Sequence, residues 1–110
     1  MNHSAFELRY NKTVLGVLDN IKEFIDSHSI TPTSIGMSRV NGGYLAVLGY
    51  SIEKKIDVSF IVKKFHLQAT LDLPKFQEEI NQIDSSIDDD IICHAVTVEG
   101  TDFVVIVMTA

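Results

Sequence analysis

Cys93 and His94, which are neighbours in the chain, are the residues whose types most directly suggest chemistry. A thiol beside an imidazole can act as a nucleophile with its base, and the same two groups can bind a metal ion. Neighbouring residues on a strand point to opposite faces of the sheet, so these two side chains cannot assist each other. We therefore interpret Cys93 as a small buried side chain, and an enzyme that uses Cys93 is kept only as an alternative.

The metal-binding residue types show no spacing that indicates a metal site. The four histidines include no i,i+4 pair of the kind that binds zinc on a helix, and there is no second cysteine. Those histidines are His3, His28, His66 and His94. Residues 88–90 are consecutive aspartates that lack the alternating pattern of a calcium loop, and we expect them to be solvated. The glycines form neither a phosphate loop nor a dinucleotide fingerprint, so no cofactor is predicted.

A second group of residues has the chemistry of a ligand-binding site. Arg39 shares a strand face with Ile35 and Met37, and a guanidinium beside an apolar surface can hold a carboxylate. Tyrosine also suits binding surfaces, because its ring is buried while its hydroxyl forms a hydrogen bond. The contacts predicted for a ligand or partner are Arg39, Tyr44, Tyr50 and His94. Glu99 and Asp102 flank a turn, and we expect both to be solvated.

The composition indicates one globular domain over residues 1–110. Hydrophobic residues make up 45% and charged residues 22%, which allows a core and argues against disorder. The net charge is −6 and the lysines are scattered, so a nucleic-acid partner is not predicted. The start "MNHSAFELRY" lacks the features of a signal peptide, and the longest apolar run, residues 103–108, is too short to cross a bilayer. With a single cysteine, these features predict a cytoplasmic protein without a membrane partner.

Hydrophobic periodicity predicts six strands and two amphipathic helices. The strands are expected at residues 5–10, 35–40, 44–50, 56–71, 91–98 and 102–109. The first helix is predicted to follow Asn11 as its N-cap, and the second to begin at Asp72. Leu71 and Phe76 fall at the positions of a hydrophobic staple. The "NGG" at residues 41–43 predicts a type I′ hairpin turn.

The order of these elements predicts an α+β fold. Tight turns between consecutive strands indicate antiparallel pairing, and two amphipathic helices need a sheet face to cover. We predict a mainly antiparallel sheet of about six strands with both helices on one face. The order strand, helix, strand, strand occurs twice, at residues 5–51 and 55–109, which suggests an internal duplication, with chance resemblance as the alternative.

The two hairpin return strands are apolar on both faces, so the predicted sheet would have an uncovered apolar face. A monomer rarely exposes such a patch, and we predict that a second copy covers it as a homodimer. The predicted interface residues are Leu45, Val47, Val105 and Val107. Curling of the sheet and a ligand in its concavity are the alternatives. The predicted function is a non-enzymatic binding or regulatory domain that self-associates, with a small-molecule-binding module as the first alternative and the Cys93 enzyme as the second.

Overall fold

A unit of strand, helix and two strands occurs twice along the chain in the computed structural model, which describes residues 4–110. The first half consists of β1 (Ser4–Asn11), α1 (Val14–Asp26), β2 (Thr31–Val40) and β3 (Gly43–Ser51). The second half consists of β4 (Ser59–His66), a 3₁₀ helix (Leu67–Leu71), α2 (Leu73–Ser85), β5 (Ile91–Glu99) and β6 (Asp102–Thr109). The predicted six strands and two amphipathic helices are therefore confirmed.

The strands form two sheets of three strands each. The first sheet has the order β1-β3-β2 and the second has the order β4-β6-β5, so the return strand of the hairpin is central in both. Every pairing within the two sheets is antiparallel. The structure confirms the predicted α+β class with antiparallel strands, and the two halves have the same strand arrangement.

The two sheets meet at β2 and β5, which lie side by side without a shared ladder. Each of these strands has an irregularity near its start, between Pro32 and Ser34 in β2 and between Ile91 and Cys93 in β5. A bulge bends and twists a strand locally, and proline has no amide hydrogen to donate. The structure therefore differs from the single predicted sheet, because no ladder joins the two strands at which its halves meet.

The main core lies between the two sheets and around α1. We call the sheet faces that contact this core the inner faces. Their central side chains are Tyr44, Ala46 and Leu48 on β3 and Val104, Ile106 and Met108 on β6. The buried residues of α1 form a broad stripe: Val14, Val17, Leu18, Ile21, Phe24 and Ile25. A stripe of this width lets one helix contact both inner faces at once.

α2 covers the outer face of the second sheet, so the two helices do not share one face as predicted. Its Ile83 packs against β6, and its Phe76 stands edge-on to the rings of Phe65 and Phe103, with centroids 5.2 and 5.4 Å away. The apolar stripe of α2 is narrow, with Phe76 and Ile83 as its buried residues. A narrow apolar stripe can be buried against a single sheet face, which explains why the two helices pack differently.

The N-terminus of α1 differs from the prediction. The N-cap is Thr13, whose hydroxyl accepts a hydrogen bond from the Gly16 amide at 3.0 Å. Asn11, the predicted cap, ends β1, and its side-chain amide donates to Asn20 at 3.1 Å. Both residues are good cap formers, and the two-residue difference follows from β1 continuing through its pairing with β3.

α2 begins as predicted, with Asp72 as N-cap accepting a hydrogen bond from the Lys75 amide. The predicted staple is wrong, because Leu71 is 85% exposed and does not cover Phe76. Leu71 ends the 3₁₀ helix, which replaces the last part of the predicted strand 56–71. Both helices have 13 residues, and within residues 4–110 no helix is long and apolar enough to cross a membrane.

The hairpin turn between β2 and β3 has the predicted backbone. Asn41 and Gly42 both have positive φ, at 52° and 73°, as a type I′ turn requires. The turn between β5 and β6 places Gly100 at a φ of 62°. Both turns therefore depend on residues that tolerate the left-handed region.

Replacing Phe76 by alanine should destabilise the protein by about 3 kcal/mol, because it leaves a cavity between α2 and the second sheet. Urea denaturation followed by circular dichroism measures this change. The matched control is Leu73→Ala in the same helix, which is 65% exposed and should cost much less. Equal losses in the two variants would contradict the packing of α2 described above.

Candidate functional site

The outer face of the first sheet, opposite α1, is the most exposed apolar surface of the sheets. Cross-strand pairing sets nine residues on it in three rows. The rows are Phe6, Leu8 and Tyr10 on β1, Gly49, Val47 and Leu45 on β3, and Ser34, Gly36 and Ser38 on β2. None of the nine is charged, and depletion of charge is typical of the centre of a protein interface.

The β1 row forms an apolar ridge. Phe6, Leu8 and Tyr10 are 69%, 57% and 42% exposed. The Tyr10 hydroxyl donates to the carbonyl of Asn41 at 2.8 Å, which holds its ring beside the hairpin turn. Contiguous exposed aromatic and aliphatic side chains of this kind mark contact surfaces more often than isolated ones do.

The β2 row forms a shallow strip beside the ridge. Its residues Ser34, Gly36 and Ser38 are small and exposed. A Cβ atom at Gly36 would meet no atom within 4 Å, so the space above the middle of this row is open. Gly49 lies under the edge of the Phe6 ring, 3.4 Å from the place of a Cβ. The face therefore combines a ridge with a depression of similar length.

The corresponding face of the second sheet is occupied by α2. Val105 and Val107, predicted as interface residues, are 3% and 0% exposed in the cluster that contains Ile83 of that helix. α2 therefore covers these two valines and leaves them almost no exposed surface for a second copy. Leu45 and Val47, the other two predicted interface residues, lie half-buried on the outer face of the first sheet.

Arg39 and Tyr44, two of the predicted ligand contacts, are cross-strand neighbours on the inner face. The guanidinium carbon lies 5.9 Å from the centre of the Tyr44 ring. The Tyr44 hydroxyl donates to the carbonyl of Val98 at 2.9 Å, and the residue is 4% exposed. Tyr44 therefore connects the first hairpin to the second, and its hydroxyl is already used.

Tyr50 and His94 lie away from that pair. Tyr50 is at the other end of β3, with its ring centroid 5.5 Å from that of Phe24, and it lies six residue steps from Tyr44, about 20 Å along the strand. His94 is on the outer face of the second sheet, where its Nε2 lies 2.9 Å from both carboxylate oxygens of Asp84 on α2. The four predicted contacts are thus not brought into one site.

Cys93 lies half-buried against the main core. Burial raises the pKa of its thiol, and a hydrogen bond with the backbone of Ile35 lowers that pKa to a smaller extent. A raised pKa disfavours the thiolate, which is the nucleophilic form. His94 pairs with the carboxylate of Asp84 on the opposite face of the sheet, so it does not serve Cys93 as a base.

Glu99 has a structural role that the sequence did not reveal. Its Oε2 accepts a hydrogen bond from the amide of Val14, in the first turn of α1, at 2.9 Å. Its Oε1 accepts one from Nζ of Lys64 at 3.2 Å. The expectation that Glu99 is merely solvated is therefore wrong, because this carboxylate satisfies a free amide at a helix N-terminus. Its partner on α1 is 85 residues away in the chain, so no local signal could have shown the contact.

Two surface depressions lie along α1. A cleft of about 280 Å³ between α1 and β4 is lined by Leu15, Leu18, Asp19, Lys22, Ser59, Phe60 and Val62. A wider depression of about 600 Å³ is lined by Asp19, Lys22, Glu23, Asp26 and Ser27. Neither contains any of the four predicted ligand contacts. In the part of the chain that the structure describes, no group of three or more His, Cys, Asp or Glu side chains could hold a metal ion.

Glu99→Ala should lower the free energy of unfolding by about 1 kcal/mol, because the Val14 amide loses its acceptor. Glu99→Gln keeps an acceptor oxygen and should cost less. Urea denaturation measures both, with the exposed Glu53→Ala as the control. A Glu99→Ala variant as stable as the wild type would show that water replaces the carboxylate without loss.

Alkylation of Cys93 by iodoacetamide near pH 8 should be several-fold slower in the native protein than in urea. The raised pKa lowers the thiolate fraction at any pH below it, so the native rate should still be rising where the rate in urea has levelled off. Mass spectrometry against time measures the rate. A native rate equal to or above the rate in urea would restore the Cys93 enzyme as a candidate.

The chain has no counterpart among the known proteins compared with it. No protein-family model, no curated protein and no solved structure matches it. Its function is therefore inferred from its own surfaces and side chains.

Proposed function

We propose that this protein is a non-enzymatic binding or regulatory module that self-associates through the outer face of its first sheet. The observation that carries the proposal is the exposed, uncharged face of Phe6, Leu8 and Tyr10 with Leu45 and Val47. In the same chain, the corresponding face of the second sheet is covered by a helix. An apolar sheet face of this kind needs a cover, since exposing it to water is unfavourable.

A second copy is the cover that the shape of the face favours. In a symmetric dimer the same patch packs against itself, so each feature must meet its complement. The ridge of β1 and the strip of Ser34, Gly36 and Ser38 lie on opposite sides of β3. A two-fold axis that lies between the two copies and runs parallel to β3 would set each ridge over the strip of the other copy. The absence of charge on the nine outer-face residues means that this packing brings no like charges together.

The area of the outer face of the first sheet sets the expected affinity of the dimer. Three strands of about eight residues cover about 400 Å², whereas a standard interface buries about 800 Å² on each partner. We therefore expect a dimer with a dissociation constant in the micromolar range, whose population changes with protein concentration. Such a dimer would present two copies of every other surface, which raises the avidity for a partner that has two sites.

A cytoplasmic location belongs to this proposal, and the single cysteine supports it. The small-molecule alternative has less support, because Arg39 and Tyr44 lie apart from Tyr50 and His94. The enzyme alternative has less support as well, because the raised pKa of Cys93 works against a nucleophile. The net charge of −6 supports a protein or self partner over a nucleic acid.

Leu8→Glu should shift the protein to the monomer, because it places an unpaired carboxylate in each of the two contacts between a ridge and a strip. Sedimentation velocity over a range of concentrations measures the change. We expect the wild type to move from 12.3 kDa towards twice that mass, and the variant to stay at 12.3 kDa.

Val96→Glu is the matched control, since Val96 is 52% exposed on the outer face of the second sheet. This variant should self-associate like the wild type. A wild type that stays monomeric at high concentration would refute the proposal. A Leu8→Glu variant that still forms the dimer would place the interface elsewhere.

A further inference from the structure

β4 is an edge strand of the second sheet. One side of Ser59–His66 pairs with β6, and the other side has no strand partner within residues 4–110. Unpaired backbone N–H and C=O groups along an edge are a template for another strand. The basic residues Lys63 and Lys64 oppose pairing at the C-terminal part of β4, which leaves Ser59–Val62 as the open part.

A cleft of about 280 Å³ runs beside this open part of β4. Its helix wall is formed by Leu15, Leu18 and Lys22, which follow helical spacing along one side of α1. Its strand wall is formed by Phe60 and Val62, which alternate towards the inner face. Leu15 is 54% exposed, so the helix wall contains an apolar side chain that nothing in the described chain covers fully.

The helix rim of the cleft is acidic. Asp19 lines both the cleft and the wider depression that continues along α1 past Glu23. Lys22 is paired with Asp26 at 3.0 Å, which neutralises that cation. Asp19 and Glu23 have no ion-pair partner among residues 4–110. A positively charged ligand group would therefore complement this rim.

We propose that the groove between α1 and β4 binds an extended, basic and apolar peptide segment of a partner protein, which adds to β4 as a further strand. Binding of a peptide by strand addition needs a free strand edge and a cleft for its side chains, and both are present here. The backbone of β4 supplies main-chain hydrogen bonds, and the cleft accepts alternate apolar side chains. A lysine or arginine of the segment lies over Asp19 and Glu23.

This groove is separate from the self-association face. The groove uses Leu15 and the β4 edge, whereas the dimer proposal uses the outer face of the first sheet around Leu8. Loss of one activity therefore leaves the other measurable. A second copy seated in the groove is the competing occupant, and it would show as protection of the β4 amides that depends on protein concentration without any peptide.

The test uses a synthetic ten-residue peptide of four Val-Thr pairs followed by two lysines. Fluorescence anisotropy with a labelled peptide measures binding to the full chain, and amide hydrogen exchange locates it. We expect binding with protection of the amides within Ser59–Val62 that do not pair with β6. The same peptide N-methylated at alternate residues should bind at least tenfold more weakly, because it cannot pair along β4. A peptide that ends in two glutamates should also bind more weakly.

Leu15→Glu should weaken binding of the lysine-ended peptide at least tenfold. The matched control is Leu71→Glu, which changes a residue that is 85% exposed and outside the groove, and it should bind like the wild type. Circular dichroism establishes that both variants are folded. Absence of binding at millimolar peptide, binding without protection of Ser59–Val62, or equal binding by the two variants would each overturn the proposal.

Discussion

The packing of α1 between the two sheets is the interaction on which the rest of the structure depends. Val17, Ile21 and Ile25 have no exposed surface, and the cluster around them takes side chains from both sheets. Burying each such side chain is worth about 1.5–3 kcal/mol, so this cluster dominates the stability of the fold. Because α1 occupies the inner faces and α2 covers the outer face of the second sheet, the outer face of the first sheet and the strand edges are left for contacts with other molecules.

The two halves share a strand arrangement and differ in where their helices pack. α1 has a broad apolar stripe and contacts both inner faces, whereas α2 has a narrow stripe and covers one outer face. This difference leaves the outer face of the first sheet without the cover that the second sheet has. The asymmetry between otherwise similar halves is thus the origin of the exposed ridge of β1.

Two polar contacts between the halves show how chemically capable groups are used for structure. The Tyr44 hydroxyl donates to the carbonyl of Val98, and the Glu99 carboxylate accepts from the amide of Val14. Both contacts lie near the turn between β5 and β6, where the second half meets the first. A buried amide or carbonyl without a partner is costly, which explains why these side chains are committed to the backbone. They are therefore poor candidates for binding a ligand.

The sequence by itself determined the number and order of the strands and α-helices, whereas the 3₁₀ helix at Leu67–Leu71 was not predicted. Alternating residues indicated the strands, the 3-4-3-4 spacing from Leu73 to Ile87 indicated α2, and "NGG" indicated the first turn. These signals are local, because each depends on residues that lie within a few positions of one another. Local signals also assigned Arg39 and Tyr44 to the two strands of the first hairpin. The structure shows that these two residues are cross-strand neighbours.

Only the tertiary structure decided which faces are covered. Val47 and Val105 occupy similar places in the two hairpins and have similar sequence surroundings. Val47 nevertheless lies on an exposed face, whereas Val105 lies under α2. The N-cap contact of Glu99 and the separation of His94 from Tyr44 likewise depend on how distant elements meet. Helix placement is set by the sum of many apolar contacts between residues far apart in the chain, and no local pattern contains that sum.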